Sequence, residues 1–257
     1  MKFRKLFTSL AAATLLLGMN GLQAADLRVG VEGAYPPFSW KEPDGTLKGF
    51  DIDIAHAICA EMNRECVLVE QDWDGMIPAL LAKKFDAIIA SMSITEERKK
   101  RVDFSDKYYN TPAKFVAKKG AGLEITMEGL KGKRIGLQRG TTHQCFMEKL
   151  FPDAELVLYG TQEEVFQDLA IGRIDAQLSD SIAADDGFLK TDAGKDFEFT
   201  GGDQHDEVCH GPGAGVAVRK QDGSLRDELN RAIKEIRANG VYQEINAKYF
   251  EFDIYGG

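Results

Sequence analysis

The order of apolar and polar residues along the chain predicts strands that alternate with helices. Residues 27–31 alternate as in a strand, and the loop 33–38, which contains two prolines, ends that pattern. Apolar residues then recur at helical spacing over 49–62. A short strand over 66–69, a helix over 74–84 and a buried strand over 86–90 complete this first block. Such alternation is typical of a mainly parallel α/β sheet.

A second block repeats the pattern. Its predicted strands and helices cover 133–137, 142–150, 156–158, 162–172 and 174–178, followed by a flexible segment over 211–215, a strand over 216–219 and helices over about 225–238 and 242–249. Lys84-Phe85-Asp86-Ala87 and Arg173-Ile174-Asp175-Ala176 both place a basic residue, an apolar residue and Asp-Ala at the start of a strand. The pattern therefore predicts two α/β lobes with a cleft between them.

The first 24 residues have the composition of a secretory signal peptide. Lys2, Arg4 and Lys5 precede an apolar stretch around 10–17, and Ala24 stands at the expected cleavage position. The apolar stretch is shorter than the roughly 20 residues that span a bilayer, and no Cys near the cleavage position would carry a lipid. We therefore expect an exported, freely soluble protein in a bacterial periplasm.

Composition and charge exclude several classes of function. The 257 residues are 44% apolar and 28% charged, which excludes a disordered or collagen-like chain. Without the three cations of the leader, the formal charge goes from -9 to -12, so nucleic acid is not an expected partner. The sequence also lacks a Gly-x-Ser-x-Gly elbow, a phosphate-binding loop and a His-Glu-x-x-His motif, which argues against hydrolytic and phosphoryl-transfer enzymes.

The four cysteines form two pairs with different sequence contexts. Cys59 and Cys66 have six residues between them at a predicted helix-to-strand junction, where an oxidising compartment favours a local disulfide over a metal site that would need further ligands. Cys145 and Cys209 are distant in sequence, and Cys209 lies in the segment 203–210, which contains metal-capable side chains. For this second pair we expect a disulfide first, free thiols second and a metal site third.

Two segments after predicted strands offer groups that suit an anion. Residues 91–98 provide hydroxyls, free backbone N–H groups and the planar guanidinium of Arg98, which matches a carboxylate. A capping box at Ser93 or Thr95 explains the same pattern slightly better. Residues 140–142 occupy the equivalent place in the second block, and they too would serve as a helix cap.

Acidic and aromatic residues are candidates for holding a cation. Asp180 closes a strand at the edge of the sheet where open α/β folds bind ligands, and its alternative role is a helix N-cap. Glu32, Tyr35 and Trp73 combine a carboxylate with two rings, the set that holds a guanidinium or ammonium by charge and stacking. Taken singly, each aromatic residue is more often part of a core.

Six short stretches, spread over essentially the whole mature chain, together form a recognisable sequence pattern. They are 34–38 (AYPPF), 49–53 (GFDID), 91–95 (SMSIT) with Arg98, 102–104 (VDF), 172–176 (GRIDA) and 248–250 (KYF). In these stretches the chain resembles periplasmic solute-binding proteins of ABC importers, family 3, in the lysine/arginine/ornithine-binding branch. Residues 108–112 and 186–190 look especially similar to arginine/ornithine-binding proteins. The resemblance implies a two-lobe, type II periplasmic-binding-protein fold, in which each lobe is a mainly parallel sheet flanked by helices.

The resemblance also implies roles at the backbone end of an amino-acid ligand. Arg98 would hold the α-carboxylate with help from Ser93 and Thr142. Asp180, with Ser91, would take the α-ammonium group.

For the side chain of the ligand, the resemblance assigns the distal cation to Glu32 and a sandwich to Tyr35 and Trp73. Many relatives have Asp in place of Glu32 and Phe in place of Trp73, so the preferred cation depends on this end of the site. Gln138 and Arg139 line the same approach in relatives, and Arg139 beside a cationic ligand would need an outward rotamer or an acidic partner. The pair Cys59 and Cys66 matches a local disulfide of the family, whereas Cys145 and Cys209 have no counterpart.

The expected domain organisation follows the family fold. Lobe 1 would comprise 25–109 and 214–257, lobe 2 would comprise 113–204, and 110–112 and 205–213 would be the hinge crossings. The expected function is to bind arginine, then ornithine or lysine, and to deliver it to the membrane permease by lobe closure. We expect a monomer without cofactor, metal or catalytic activity. The alternatives are a histidine or opine (octopine, nopaline) binder, a cyclohexadienyl or arogenate dehydratase, and a sensor domain that signals through a separate partner.

Overall fold

The structure, a computed structural model, describes residues 25–256, so the expected signal peptide over 1–24 lies outside the described residues, as does Gly257. The strands are β1 (Leu27–Val31), β2 (Ala34–Tyr35), β3 (Ser39–Lys41), β4 (Leu47–Lys48), β5 (Cys66–Glu70), β6 (Ala87–Ile88), β7 (Asp103–Tyr109), β8 (Ala113–Lys118), β9 (Arg134–Gln138), β10 (Glu155–Tyr159), β11 (Ala176–Asp180), β12 (Phe197–Gln204) and β13 (Ala214–Val218). The helices are α1 (Phe50–Glu61), α2 (Met76–Leu81), α3 (Glu96–Lys99), α4 (Met127–Leu130), α5 (Thr142–Leu150), α6 (Gln162–Ala170), α7 (Ser181–Ala184), α8 (Glu207–His210), α9 (Gly223–Ala238) and α10 (Val241–Tyr249).

Two five-stranded sheets of the same design organise the chain. Their strand orders are β5-β1-β6-β13-β7 and β10-β9-β11-β8-β12. In each sheet the first three strands are parallel, because helices connect them, and the last two join by antiparallel pairing. The two-lobe α/β fold is therefore confirmed, with the parallel part of each sheet limited to three strands.

The hydrophobic pattern leaves out β7, β8 and β12, which supply much of the antiparallel part of the sheets. The predicted helix over 74–84 is shorter: a 3₁₀ turn, Trp73–Gly75, precedes α2, and after Leu81 the chain turns through Lys83 with a left-handed φ of 62°. The last two residues of the segment 211–215, which the sequence predicts to be flexible, belong to β13.

The Asp-Ala repeat has one structural role in both lobes. Asp86 accepts hydrogen bonds of 3.0 and 2.9 Å from the guanidinium of Arg28 on the neighbouring strand β1. In the second lobe, Asp175 accepts a bond of 2.8 Å from the backbone N of Arg134 and one of 3.2 Å from its guanidinium. Each charge-assisted pair joins the starts of two adjacent parallel strands, so the repeat stabilises the sheets.

Both cysteine pairs are disulfides. Cys59–Cys66 joins α1 to β5, and Cys145–Cys209 joins α5 to α8, with Cα–Cα distances of 5.6 Å in each case. The disulfide expectation is confirmed for both pairs, and neither Cys145 nor Cys209 has a sulfur left to act as a free thiol or a metal ligand.

The cores position the strand ends that border the cleft. Buried apolar residues pack α1, α9 and α10 against the first sheet, and further clusters pack α5 and α6 against the second. Since β1, β6, β9 and β11 belong to the parallel parts, their carboxyl ends lie at the sheet edges where α/β folds bind ligands. Over 25–256, no helix combines the length and apolar character needed to cross a membrane.

Candidate functional site

A pocket between the two sheets brings together all eight side chains singled out from the sequence. It encloses about 700 Å³ of space, including its open mouth. Among its lining residues are Glu32, Tyr35, Trp73, Ser91, Ser93, Arg98, Thr142 and Asp180. Most of them follow or end parallel strands: Glu32 comes directly after β1, and Asp180 is the last residue of β11.

Arg98 provides a positive charge at one end of the pocket. Its backbone N donates to Thr95 Oγ1 at 3.2 Å, so Thr95 rather than Ser93 caps the helix. The reciprocal bond of a capping box is not formed, because Arg98 rather than a Glu stands three residues after Thr95. The guanidinium donates to the carbonyls of Ser93 (2.9 Å) and Gly140 (3.3 Å) and lies 5.1 Å from the ring centroid of Trp73. Burial lowers the pKa of Arg98 to about 10, and no carboxylate within 25–256 forms an ion pair with it. Arg98 therefore stays charged at neutral pH and can accept an anionic partner.

The first turn of α5 adds hydrogen-bond donors beside Arg98. Thr142, the first residue of the helix, is buried, and Thr141 before it does not cap the helix. The Thr141 hydroxyl instead donates to the carbonyl of Gln138 at 2.8 Å. The backbone N–H groups at the start of α5 therefore lack a side-chain cap, an arrangement that favours an anion.

Glu32 provides a buried carboxylate in the same pocket. It is 7% exposed, and its Oε1 accepts a bond of 2.6 Å from Gln138 Nε2, which also donates to the carbonyl of Gly160 at 3.2 Å. Burial raises the pKa of Glu32 to about 7. In the described part of the chain, no basic side chain pairs with Glu32. A ligand that carries a cation would supply this missing partner.

Asp180 caps a helix and borders the pocket at once. Its Oδ1 accepts bonds from the backbone N of Ile182 (2.8 Å) and of Ala183 (3.2 Å) at the start of α7, and Thr111 Oγ1 donates to its Oδ2. Burial raises the pKa of Asp180 to about 6, so the carboxylate is mostly ionised at neutral pH. The N-cap alternative is thus real and compatible with a ligand contact.

The remaining predicted residues have contacts that the sequence did not specify. The ring of Tyr35 stacks on Phe38, with centroids 5.8 Å apart. Arg139 Nη1 donates to Asp74 Oδ2 at 2.8 Å across the cleft, and this acidic partner keeps its charge out of the pocket. The hydroxyl of Ser91 donates to Asp51 and is therefore not free in the pocket.

Several pocket residues were not singled out by the sequence analysis as ligand contacts. They are Tyr109, Asn110, Thr111, Ala113, His143, Gln204, His205, His210 and Gly213, with Ala90 and Ala214. Many come from the two chain crossings, which have no hydrophobic period that could reveal them. Gln138, which the resemblance places on this approach, and Thr141, from the candidate segment 140–142, line the pocket as well. The sequence indicates His205 and His210 only as metal-capable side chains. In the structure His210 Nδ1 instead accepts a hydrogen bond of 3.0 Å from the backbone N of Asp206.

Proteins with similar sequences are binding proteins for amino acids. The L-arginine-binding protein of Pseudomonas aeruginosa is 52% identical over 237 residues, which cover 91% of this chain and 92% of that protein. The histidine-binding periplasmic protein of Escherichia coli is 43% identical, and the alignment covers 98% of this chain and 95% of that protein. The lysine/arginine/ornithine-binding periplasmic protein of Escherichia coli is 40% identical, and the alignment covers 96% of this chain and 98% of that protein.

Solved structures and a family model agree with these relatives. A periplasmic binding protein of Salmonella typhimurium described for high arginine specificity has a TM-score of 0.82 and 36% identity, and covers 88% of this chain and 100% of its own. An ancestral amino acid-binding protein described as a precursor of cyclohexadienyl dehydratase has a TM-score of 0.78 and 34% identity, and the alignment covers 88% of this chain and 96% of that protein. Residues 27–252 match the model of the bacterial extracellular solute-binding proteins, family 3. The chain belongs to this family.

Proposed function

We propose that the protein binds a cationic L-amino acid in the periplasm, arginine before ornithine and lysine, and delivers it to the membrane permease of an ABC importer. The observation that carries the proposal is one pocket with two unmatched charges, Arg98 without a carboxylate and buried Glu32 without a cation. A cationic amino acid supplies both missing partners. The arginine-binding relative at 52% identity supports the same ligand.

In this arrangement the α-carboxylate of the ligand lies against Arg98, Ser93 and Thr142. The α-ammonium group lies against Asp180, with Ser91 beside it. These contacts recognise any L-amino acid, because they use only the groups that all amino acids share.

The distal cation of the ligand lies against Glu32, and the aliphatic part of its side chain lies between Tyr35 and Trp73. Arginine is preferred because its guanidinium is planar, and a planar cation stacks on aromatic rings as well as pairing with a carboxylate. Ornithine and lysine provide the charge without that planar surface.

We assign lobe 1 to 25–109 and 214–257, lobe 2 to 113–204, and the hinges to 110–112 and 205–213. This division is supported by the sheets, since every strand of the first sheet falls in the first two ranges and every strand of the second falls in the third. A ligand that contacts both lobes stabilises their closed arrangement, which the permease would recognise. We assign this role to a monomer that needs no nucleic acid.

Two other functions are compatible with the fold. A histidine or opine ligand is suggested by the histidine-binding relative and by the width of Trp73. A dehydratase is suggested only by the similarity to a dehydratase precursor, and a prephenate-type substrate has no distal cation for Glu32. We therefore propose a binding protein without catalytic activity.

The test is a thermal-shift screen of residues 25–257, unfolded and refolded to remove any ligand. The compounds are the proteinogenic amino acids, ornithine, octopine, nopaline and prephenate. Because a ligand that binds the native state raises its melting temperature, arginine should give the largest rise, followed by ornithine and lysine. A rise with prephenate alone, or with no cationic compound, would overturn the proposal. Arg98→Ala serves as the control that should lose the response.

A further inference from the structure

Asp51 is a buried carboxylate without a role in the binding scheme described above. It is the second residue of α1 and is 1% exposed. Within 25–256, no basic side chain pairs with it. Its oxygens instead accept bonds from Ser91 Oγ (2.8 Å to Oδ2) and from the hydroxyl of Tyr108 (2.9 Å to Oδ1). Burying a carboxylate without a cation is costly. We therefore look for the role of Asp51 in the two hydrogen-bond partners that it holds.

These partners hold Ser91 in an unusual backbone conformation. Ser91 has a φ of 54°, in the left-handed region that residues with a Cβ atom rarely adopt. Its backbone N donates to the hydroxyl of Tyr108 at 3.0 Å, and that hydroxyl in turn donates to Asp51. Tyr108 is fully buried, and its carbonyl accepts a bond of 2.7 Å from Tyr242. Asp51, Tyr108 and Ser91 therefore form a closed ring of hydrogen bonds that over-determines the strained residue.

The ring leaves Ser91 with only an acceptor for the pocket. Both of its donors, the hydroxyl and the backbone N–H, are bonded to Asp51 and Tyr108. In the described chain, no backbone or side-chain donor reaches its carbonyl oxygen. Ser91 lines the pocket together with Asp180, so an acceptor stands beside a carboxylate there. That combination suits an ammonium group, which has three donors and no acceptor.

We propose that Asp51 is a positioning residue that acts through Ser91 and makes the pocket select ligands with an α-ammonium group. The proposal rests on the proposed function, because it concerns the same amino-acid site. Asp51 does not contact the ligand. Its carboxylate holds the left-handed conformation of Ser91, and without it Ser91 relaxes to a negative φ and its donors become free to turn toward the ligand.

The experiment compares arginine with 5-guanidinopentanoate, which is arginine without the α-amino group, by calorimetry and by competition. Asp51→Asn should weaken arginine binding by about tenfold or more, because the hydrogen bond from the α-ammonium group of arginine to the Ser91 carbonyl is lost. The deamino analogue has no ammonium group to make this bond, so its binding should change much less. Adding Ser91→Gly should recover most of that loss, since glycine adopts a positive φ without a Cβ penalty. Ser91→Gly alone is the reference for the double variant.

Asp53→Asn is the matched control. Asp53 lies on the same helix and accepts a bond of 2.9 Å from the hydroxyl of Tyr249, away from the pocket, so its variant should bind both compounds as the wild type does. Tyr108→Phe removes only the bridging hydroxyl, and it should show the same selective loss at smaller size. If Asp51→Asn does not fold, Tyr108→Phe decides.

Three outcomes separate the proposals. Equal losses for arginine and the deamino analogue, or no recovery on adding Ser91→Gly, would overturn the positioning role while the proposed function stands. Failure of the wild-type protein to bind any cationic amino acid would overturn the proposed function itself. Selective loss with recovery supports both.

Discussion

Glu32 and Gln138 form a hydrogen bond of 2.6 Å that joins the carboxyl end of β1 in one sheet to the carboxyl end of β9 in the other. Gln138 uses only Oε1 of the carboxylate, and no residue in the described chain donates to Oε2. Glu32 therefore has one oxygen for the contact across the cleft and one for a ligand. The amide cannot neutralise the carboxylate, so the charge remains available to a cation.

Glu32→Gln tests whether this charge determines specificity. The amide has the same shape, and the variant should lose arginine and ornithine affinity by about hundredfold, because a desolvated charge pair is removed at a cost of about 2 to 5 kcal/mol. Glutamine, which has no distal charge, should lose much less. Calorimetric titration of both ligands into the wild type and the variant measures the two losses. Equal losses would remove Glu32 from the specificity role.

Arginine affinity should fall as the pH is lowered from 8 to 5. Burial raises the pKa of Glu32 in the free protein to about 7, whereas a bound cation favours the ionised form. Below pH 7 the free protein must therefore lose a proton to bind, which costs about tenfold in affinity per pH unit. Asp180, with a pKa raised to about 6, adds a second step at lower pH.

Calorimetric titrations of arginine in buffers with different ionisation enthalpies count the protons that the protein releases on binding. Near pH 6.5 the wild type should release protons on binding arginine, and Glu32→Gln should release fewer. An affinity that is flat between pH 6 and 8 in the wild type would contradict this role of Glu32.

Arg98→Ala should weaken binding of every amino acid by about hundredfold or more, because the ligand carboxylate would be buried without its charged partner. The fold should persist, since Thr95 caps α3 through the backbone N of residue 98 rather than through its side chain. Arg101→Ala, a nearby exposed arginine, is the matched control and should bind as the wild type does. Wild-type affinity in Arg98→Ala would exclude the carboxylate role.

Strand ends explain how much of the site the sequence could predict. Glu32, Thr142 and Asp180 lie at or just after the carboxyl ends of predicted parallel strands, and the geometry of α/β sheets brings such ends to one edge. The eight residues chosen this way, and by family resemblance, all line one pocket.

Long-range side-chain contacts explain what the sequence could not predict. Glu32 and Gln138 are 106 residues apart, and Asp51 lies 40 residues before Ser91, so no local pattern links either pair. Asp51 also falls on the apolar face of a helix, where periodicity predicts a core residue. The left-handed φ of Ser91 follows from those contacts rather than from the preference of serine.

The ion pair between Asp74 and Arg139 should contribute modestly to closure of the lobes. Both side chains are about half exposed, with 45% and 51% of their surface accessible, so the pair should be worth about 0.5 kcal/mol, or about twofold in affinity, and should weaken in salt. Asp74→Asn should have a further effect, because it frees the Arg139 charge near a cationic ligand. Arginine affinity should therefore fall more in Asp74→Asn than in Asp74→Asn with Arg139→Gln. Equal affinities for the two variants would show that Asp74 does not shield the pocket from Arg139.

The two disulfides should contribute unequally to stability. Cys145–Cys209 closes a loop with a sequence separation of 64, and Cys59–Cys66 one of only 7. In the chain-entropy model these loops correspond to about 4 and about 2 kcal/mol, because the longer crosslink removes more conformations from the unfolded chain. Replacing Cys145 and Cys209 by serine should therefore lower the melting temperature by about 10 °C, and the same change at Cys59 and Cys66 by about half as much.

Thermal melts of the two double variants, without ligand and at the same pH, make the comparison, and wild type treated with a reductant gives the combined effect. The long-range bridge also joins α5, whose first turn borders the pocket, to the crossing that contains α8. A larger loss for the Cys59 and Cys66 variant would mean that local packing of α1 on β5, rather than loop entropy, sets the contribution of these bonds.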